Sequence, residues 1–371
     1  MAGKKTSFLY LSEQDMLKAG VLDGKQCVET IDDMFKVVGE GDYIMGGICE
    51  NEHGQRIYFP EEKRFPNMPV AGPDRRFLSM ITYLGGRFNL CACKWYGSNI
   101  ENTKRGLPRS VLMVTLNNVE TGEPFAHMSG NLLSAMRTGS VPAVGAKYLA
   151  SKDAKVAAVI GAGVMGRATI TCMKAALPQL TKAVVYDLVR EKAEAFCAQM
   201  SSELGFRFEA VGSMEEAVRA ADVITIATAG NAKPVIKTEW VKPNAVIATQ
   251  GTADIPDELF TSSRVVFDEI KMHLAWKEEE EKISPAKRLG FPGASVFRLC
   301  EEGKINETDL VSLSQIACGK KLGRRNEEER FILIIGGMPV EDAAWGHTLY
   351  HNARKMGIGQ ELVLWDEPHW M

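Results

Sequence analysis

Two periodicities divide the chain. From residue 155 to about 267, short β-branched runs alternate with stretches that read as helix: Lys155-Val-Ala-Ala-Val-Ile160, a helix over about 167–176, then Ala183-Val-Val-Tyr186 ending in Asp187, then an Ala- and Glu-rich helix over about 190–202. A strand near Phe206–Ala210, a helix opened by Ser213-x-x-Glu216, and strands Val223–Ala227, Ala245–Thr249 and Val265–Phe267 continue the alternation. Strand and helix at this spacing predict a doubly wound parallel sheet, because parallel neighbours need a crossover that a helix supplies. Serine followed three residues on by glutamate predicts a capping box.

Before residue 140 the pattern is different. A helix opened by Ser12-x-x-Asp15 precedes long strand-like stretches around residues 76–97 and 109–117, which predicts α+β structure. The tail resumes with strand-like Phe331–Ile335, a Gly336-Gly337 turn, and a helix from about Val340 to Lys355 that stops at Gly357. Packing that tail against the first half predicts a discontinuous domain, residues 1–140 completed by 325–371, around a central domain of residues 141–324. A helix over about 128–150 joins the two. The charge run Lys277–Lys282 reads as a solvated helix face.

Composition narrows the partners. With 371 residues, 45% apolar and 25% charged, the chain can bury two ordinary cores. Charges or glycines interrupt every apolar run well before ~20 residues, so no membrane span is predicted. The opening Met1-Ala-Gly-Lys-Lys5 passes into Phe8–Leu11 without the apolar core of a signal peptide, so a cytoplasmic location is expected. A net charge of −3 with interspersed signs leaves no footprint for nucleic acid or an anionic membrane, and the expected substrate is small. The eight cysteines contain no CxxC pair, so neither a zinc site nor a disulfide framework is expected. Cys91 and Cys93 share one strand face and read as packed inside.

The candidate chemistry starts at Gly161-Ala-Gly163-Val164-Met165-Gly166, between a buried strand and a helix. Gly161 can make the tight turn, Gly163 can admit a pyrophosphate, and Gly166 can let the helix close on the strand. The helix start offers free N–H groups and a positive dipole end to phosphate. Asp187 ends the second strand, where a carboxylate accepts from ribose hydroxyls and repels a 2′-phosphate; NAD(H) is therefore expected over NADP(H), with Arg190 the one nearby cation to argue otherwise. Val164, Met165 and Thr228 complete the expected cofactor contacts. These features together predict a Rossmann domain. Arg137 lies among small and apolar residues, so its charge needs a partner: a cofactor phosphate, a substrate carboxylate or an internal acid. Lys94 follows apolar Leu90-Cys-Ala-Cys93, and a lysine on a buried strand can anchor a carboxylate or polarise an imine. Asp254 follows a strand at the carboxyl edge of the sheet, where it can handle a proton on a substrate nitrogen.

These pieces, in this order, resemble the ornithine cyclodeaminase/μ-crystallin family over nearly the whole chain. The stretches that carry the resemblance are Lys94-Trp-Tyr-Gly-Ser, Asn102-Thr103-Lys-Arg-Gly106, Ser134-Ala-Met-Arg137-Thr138, Val159-Ile-Gly-Ala-Gly163, Asp254-Ile-Pro256 and Gly337-Met-Pro-Val-Glu341-Asp342. The resemblance implies a homodimer, an N-terminal substrate and dimerisation domain completed by the C-terminal segment, and a central domain that binds NAD(P)(H). It implies that Lys94 and Arg137 are the substrate-carboxylate and cofactor-side cations, that Thr103 contacts cofactor phosphates, and that Asp254 acts at the substrate amine. A further family arginine matches Arg56 in Gln55-Arg-Ile-Tyr58, with Arg64, Arg75 and Arg76 as competitors, because residues 46–75 carry extra length.

One position departs from the cyclodeaminases of that family. They carry a glutamate two residues before a Met-Pro pair, where it holds the distal amine; here the stretch is Phe77-Leu78-Ser79-Met80-Ile81. Leu78 and Met80 are counted as substrate-binding positions, and Leu78 argues against ring closure. The stretch from Lys94 to Ala150 resembles a member that joins an amino acid to glutamate. The expected function is an NAD(H)-dependent oxidoreductase at the Cα–N bond of a small amino or imino acid. The alternatives are ornithine or lysine cyclodeamination and, from another class, a non-catalytic crystallin-like ligand binder.

Overall fold

The computed structural model describes residues 4–72, 74–228, 234–283 and 290–370. The chain forms two compact units: Met1–Leu22, Asp42–Ser134 and Met338–Met371 make the first, Asp23–Gly41 and Ala135–Gly337 the second.

The second unit is built on an all-parallel sheet. Its strands lie in the order Arg207–Ala210, Lys182–Tyr186, Val156–Ile160, Val223–Ile226, Val246–Thr249, Phe331–Ile334, Arg264–Phe267, Val311–Ser312. Central strands buried on both faces read as unbroken apolar runs rather than alternations, which is why Val156–Ile160 and Val223–Ile226 stand out in the sequence. From Val156–Ile160 the chain adds strands to one side, then crosses back to place Val223–Ile226 on the other. The reversal opens a crevice beyond the carboxyl ends of these two strands, the position at which such sheets bind ligands. The doubly wound fold expected from the sequence is thus present.

Two segments join a different unit from the one expected. Phe331–Ile334 was assigned with residues 325–371 to the first domain, but it inserts between Val246–Thr249 and Arg264–Phe267. A four-residue run that is apolar on both faces is satisfied only inside a sheet covered on both sides, and periodicity does not say which sheet that is. Residues 24–40, assigned to domain 1–140, form a helix of the second unit, packed on Val164–Ala176 and Leu313–Ala317. Glycines at its ends permit the approach: a Cβ on Gly24 would lie 2.9 Å from the Thr171 carbonyl oxygen, and one on Gly39 would overlap Ser314. Asp32 on this helix accepts from Lys147 (3.0 Å) and from the Tyr148 hydroxyl (2.6 Å), both on the Asn131–Leu149 helix.

The first unit carries a mixed sheet. Its order is Gln360–Trp365, Thr6–Leu11, Pro124–Ser129, Ser110–Asn118, Leu90–Ser98, Arg76–Leu84, Tyr43–Met45, with Gln55–Ile57 also pairing Arg76–Leu84. Alternation sorts its two faces. Leu78, Met80, Leu90, Ala92, Lys94, Val114 and Leu116 are buried, and the Pro339–Met356 helix packs on their strands. Phe77, Ile81, Trp95, Val111 and Met113 are exposed on the reverse. Cys91 and Cys93 share that reverse face and are only partly buried, so the expectation that they pack inside is corrected; Cys93 Sγ contacts Ser79 Oγ at 3.5 Å.

Smaller expectations divide as well. The Ser12–Asp15 capping box is complete. Ser213 Oγ accepts from Glu216 N, but the Glu216 carboxylate accepts from Gly212 N, one residue short of a box. The charge run on Ile270–Lys282 is mainly solvated, except that Glu280 is buried and accepts from Gly290 N at 3.3 Å. Among the described residues no helix is long and apolar enough to cross a membrane.

Asp32 gives a stability test. Burial would raise its carboxyl, but Lys36, Tyr148 and Lys147 overcome that and hold it below the usual carboxylate range. A lowered folded-state value contributes stability above the unfolded value near ~4, which is lost as pH falls through the folded value. Asp32→Asn is expected to cost about 1–3 kcal/mol at pH 7 and progressively less toward pH ~3, read by denaturant melts across pH.

Candidate active-site residues

The glycine turn behaves as its spacing predicts. Gly161 has φ +107°, a conformation that favours glycine, and a Cβ there would lie 2.9 Å from the Ala227 carbonyl oxygen. A Cβ on Gly166 would overlap the Gly161 carbonyl, so helix and strand meet only because both residues lack side chains. At Gly163 a Cβ would meet nothing within 4 Å, and the residue N-caps the Val164–Ala176 helix without a side-chain hydrogen bond. Val164 is exposed and Met165 half-buried beside it. The helix start is therefore open and without a capping side chain, which suits a pyrophosphate.

Asp187 does two things at once. Its Oδ2 accepts from Ala162 N (2.9 Å) and its Oδ1 from Val189 N (3.0 Å), so the carboxylate braces the glycine turn while keeping lone pairs for ribose hydroxyls. Arg190 is exposed and pairs with Glu194 at 2.8 Å, one turn along its own helix. Asp187, at the end of its strand, favours a free 2′-hydroxyl. These residues fit NAD(H).

Thr228 and Asp254 belong to the same edge of the sheet. Gln250 N and Gly251 N both donate to Ile226 O, and Thr228 Oγ1 donates to Thr252 O at 3.0 Å, tying the segment that leads to Asp254 against the end of a central strand. Asp254 N donates to Pro234 O and its carbonyl accepts from Ile236 N. The exposed residue lines a depression of about 180 Å³ with Val235, Ile236, Lys237 and Pro256. Arg137, on Asn131–Leu149, is 5% exposed, and its guanidinium lies against Gly337.

The first unit holds the other expected residues. Lys94 is 3% exposed; its Nζ donates to Asp342 Oδ2 at 2.7 Å, lies 3.5 Å from Ser134 Oγ and sits 5.7 Å from the centre of the Tyr96 ring. Asp342, equally buried in the first turn of Pro339–Met356, is its ion-pair partner. Glu341 beside it accepts from Met338 N at 2.9 Å. From sequence, Asp342 has no role beyond its place in the Gly337–Asp342 motif; the signal available is two adjacent carboxylates at a helix start, followed directly by apolar Ala343-Ala344-Trp345.

The register separates the competing arginines. Arg56 stands opposite Leu78, and Leu78 opposite Tyr96, so Arg56 shares the Lys94 face. Arg76 shares it too, ion-paired to Asp74 at 3.3 Å and stacked on Tyr96. Arg75 Nη1 donates to Val70 O, and Arg64 is exposed on the loop. Leu78 and Met80 are fully buried beneath this face, against Gly54. Thr103 is exposed in the Ile100–Arg105 turn, its hydroxyl donating to Ile100 O at 3.0 Å.

The family model of the ornithine cyclodeaminase/mu-crystallin family matches residues 23–357. The chain belongs to this family. It is 26% identical to N-((2S)-2-amino-2-carboxyethyl)-L-glutamate dehydrogenase of Staphylococcus aureus, over 96% of this chain and 98% of that protein. Among solved structures it is similar to Delta(1)-pyrroline-2-carboxylate reductase of Thermococcus litoralis, in complex with NADH and L-proline, with 28% identity, TM-score 0.78 and coverage of 96% and 100%. An archaeal alanine dehydrogenase dimer with bound NAD has the same fold, with 22% identity, TM-score 0.77 and coverage of 97% and 100%. The expectation of an enzyme of the amino- and imino-acid oxidoreductase kind is borne out.

Gly163 and Gly166 provide paired tests. Gly163→Val adds a side chain to open space at an ordinary φ of −97°, so the melting temperature should hold while NADH affinity falls roughly tenfold or more, read by fluorescence titration. Gly166→Ala should instead lower the melting temperature, because the added methyl meets backbone.

Proposed function

We propose that this chain transfers hydride between NAD(H) and the α-carbon of a small amino or imino acid. The observation that carries the reading is that one chain presents both an acid-terminated dinucleotide turn with an open helix start and a buried, ion-paired lysine on an apolar sheet face. The nicotinamide supplies or accepts the hydride. Gly161, Gly163, Val164, Met165, Gly166, Asp187 and Thr228 hold the dinucleotide, and Thr103 and Arg137 add contacts to it. Lys94 and Arg56 take the substrate carboxylate, a clamp that converts binding energy into orientation of the Cα–N bond. Asp254 holds or releases the proton on the nitrogen as the bond order between carbon and nitrogen changes. Leu78 occupies the register position where an acid would hold a distal amine, which supports reduction or oxidation without ring closure.

Purified protein tested with NADH and a panel of imines, including Δ1-pyrroline-2-carboxylate and pyruvate with ammonia, should oxidise NADH in proportion to imine. Asp254→Asn should lower kcat by roughly 10²- to 10⁴-fold with NADH affinity unchanged. Tight NADH binding with no turnover on any imine would sink the reading. Ornithine with catalytic NAD should yield no stoichiometric proline; its appearance would favour cyclodeamination instead.

The working form is a homodimer. Phe77, Ile81, Trp95, Val111 and Met113 give the first unit an exposed apolar sheet face of the kind that marks an interface. Trp95→Lys, which places a charge at its centre, should convert a sedimenting dimer to monomer. The free cysteines are consistent with work in the reducing cytoplasm.

A further inference from the structure

We propose that Asp268 and His273 are positioning residues for Arg137, acting through the Gly336–Gly337 turn. The inference rests on the reading of Arg137 as an active-site cation. Asp268 directly follows the Arg264–Phe267 strand and is fully buried, as is His273 on the next helix. A carboxylate sealed from water is costly unless its lone pairs are satisfied. Here Oδ2 accepts from both Gly336 N (2.7 Å) and Gly337 N (2.9 Å), while Oδ1 accepts from Glu269 N (2.9 Å) and lies 2.7 Å from His273 Nε2. With Asp268 as acceptor, Nε2 is the donor.

Two successive N–H groups on one oxygen fix the peptide planes of the turn. Gly337 has φ +82°, and a Cβ on it would lie 2.9 Å from Arg137 Nη1, so the bare backbone of that residue is the surface on which the guanidinium rests. The imidazole is itself held: Phe267 meets it edge-on at 4.8 Å, and a Cβ on Gly336 or Gly293 would lie 3.2 Å from its ring. A shift of Asp268 therefore passes to the turn and from the turn to Arg137, without Asp268 or His273 touching substrate or cofactor.

A double-mutant cycle tests the relay, with the panel imine that the wild-type holoenzyme reduces fastest. Asp268→Asn and Arg137→Gln should each lower kcat/KM by roughly 10- to 100-fold, and the double variant should lose little more than Arg137→Gln alone. His273→Gln, whose side-chain amide can donate, should retain more activity than His273→Leu. If Asp268→Asn fails to fold, Gly337→Ala disturbs the turn and presses on Arg137 while leaving the Asp268 and His273 side chains in place, and should reproduce the Arg137→Gln loss. Multiplicative losses in the double variant, or wild-type turnover in His273→Leu or Gly337→Ala, would overturn the relay. Unchanged turnover in Arg137→Gln would instead overturn the reading of Arg137, and the relay with it.

Discussion

The dinucleotide turn depends on a close backbone approach: a Cβ on Gly166 would overlap the Gly161 carbonyl oxygen, so no side chain fits there. That contact sets the helix Val164–Ala176 directly on the end of Val156–Ile160. Its start is then left without a capping side chain and open at Gly163. The adjoining strand ends in Asp187, whose carboxylate ties back to the same turn through Ala162 N. Removing the glycine contact would move the dipole, the donors and the acid together. Every part of the cofactor reading depends on it.

Within its two units the chain buries several charges, and each is matched differently. Lys94 has Asp342, Asp268 has two backbone N–H groups and a histidine, and Asp32 has two lysines and a tyrosine hydroxyl. Replacing a buried pair by apolar residues is often neutral or stabilising, so such groups are weak evidence of a need for stability. Asp32 links two helices and reads as structural. Lys94 shares its sheet face with Arg56 and with Arg76, which is paired to Asp74. Asp268 fastens a turn against Arg137, which gives its burial a use beyond the sheet.

The Rossmann half was legible because its signals are local. An apolar run, three glycines at fixed offsets, a helix and an acid at the next strand end all lie within 32 residues, from Val156 to Asp187. Lys94 was legible for a related reason, since a cation inside an apolar strand is conspicuous along the chain. Asp342 was not, because it lies 248 positions from its partner and only packing of the Pro339–Met356 helix on the sheet joins them. The role of Asp268 was hidden in the same way, 68 and 69 residues from the amides it holds.

Residue pattern by itself determined the alternating strands and helices between Val156 and Phe267, the dinucleotide turn and the sign of the charge beside it, since each follows from spacing and side-chain chemistry over a few turns; the helix Gly24–Glu40 and the strand Gln360–Trp365 were not read from it. Tertiary structure decided which sheet received Phe331–Ile334, that Gly24–Glu40 belongs with the second unit, and which face of a strand was buried. It also decided which carboxylate answers each buried cation. A run that is apolar all round, or a single acid in a helix, is compatible with several neighbours. Only the closing of the core, where a group must find its partner or lose its solvation, selects among them.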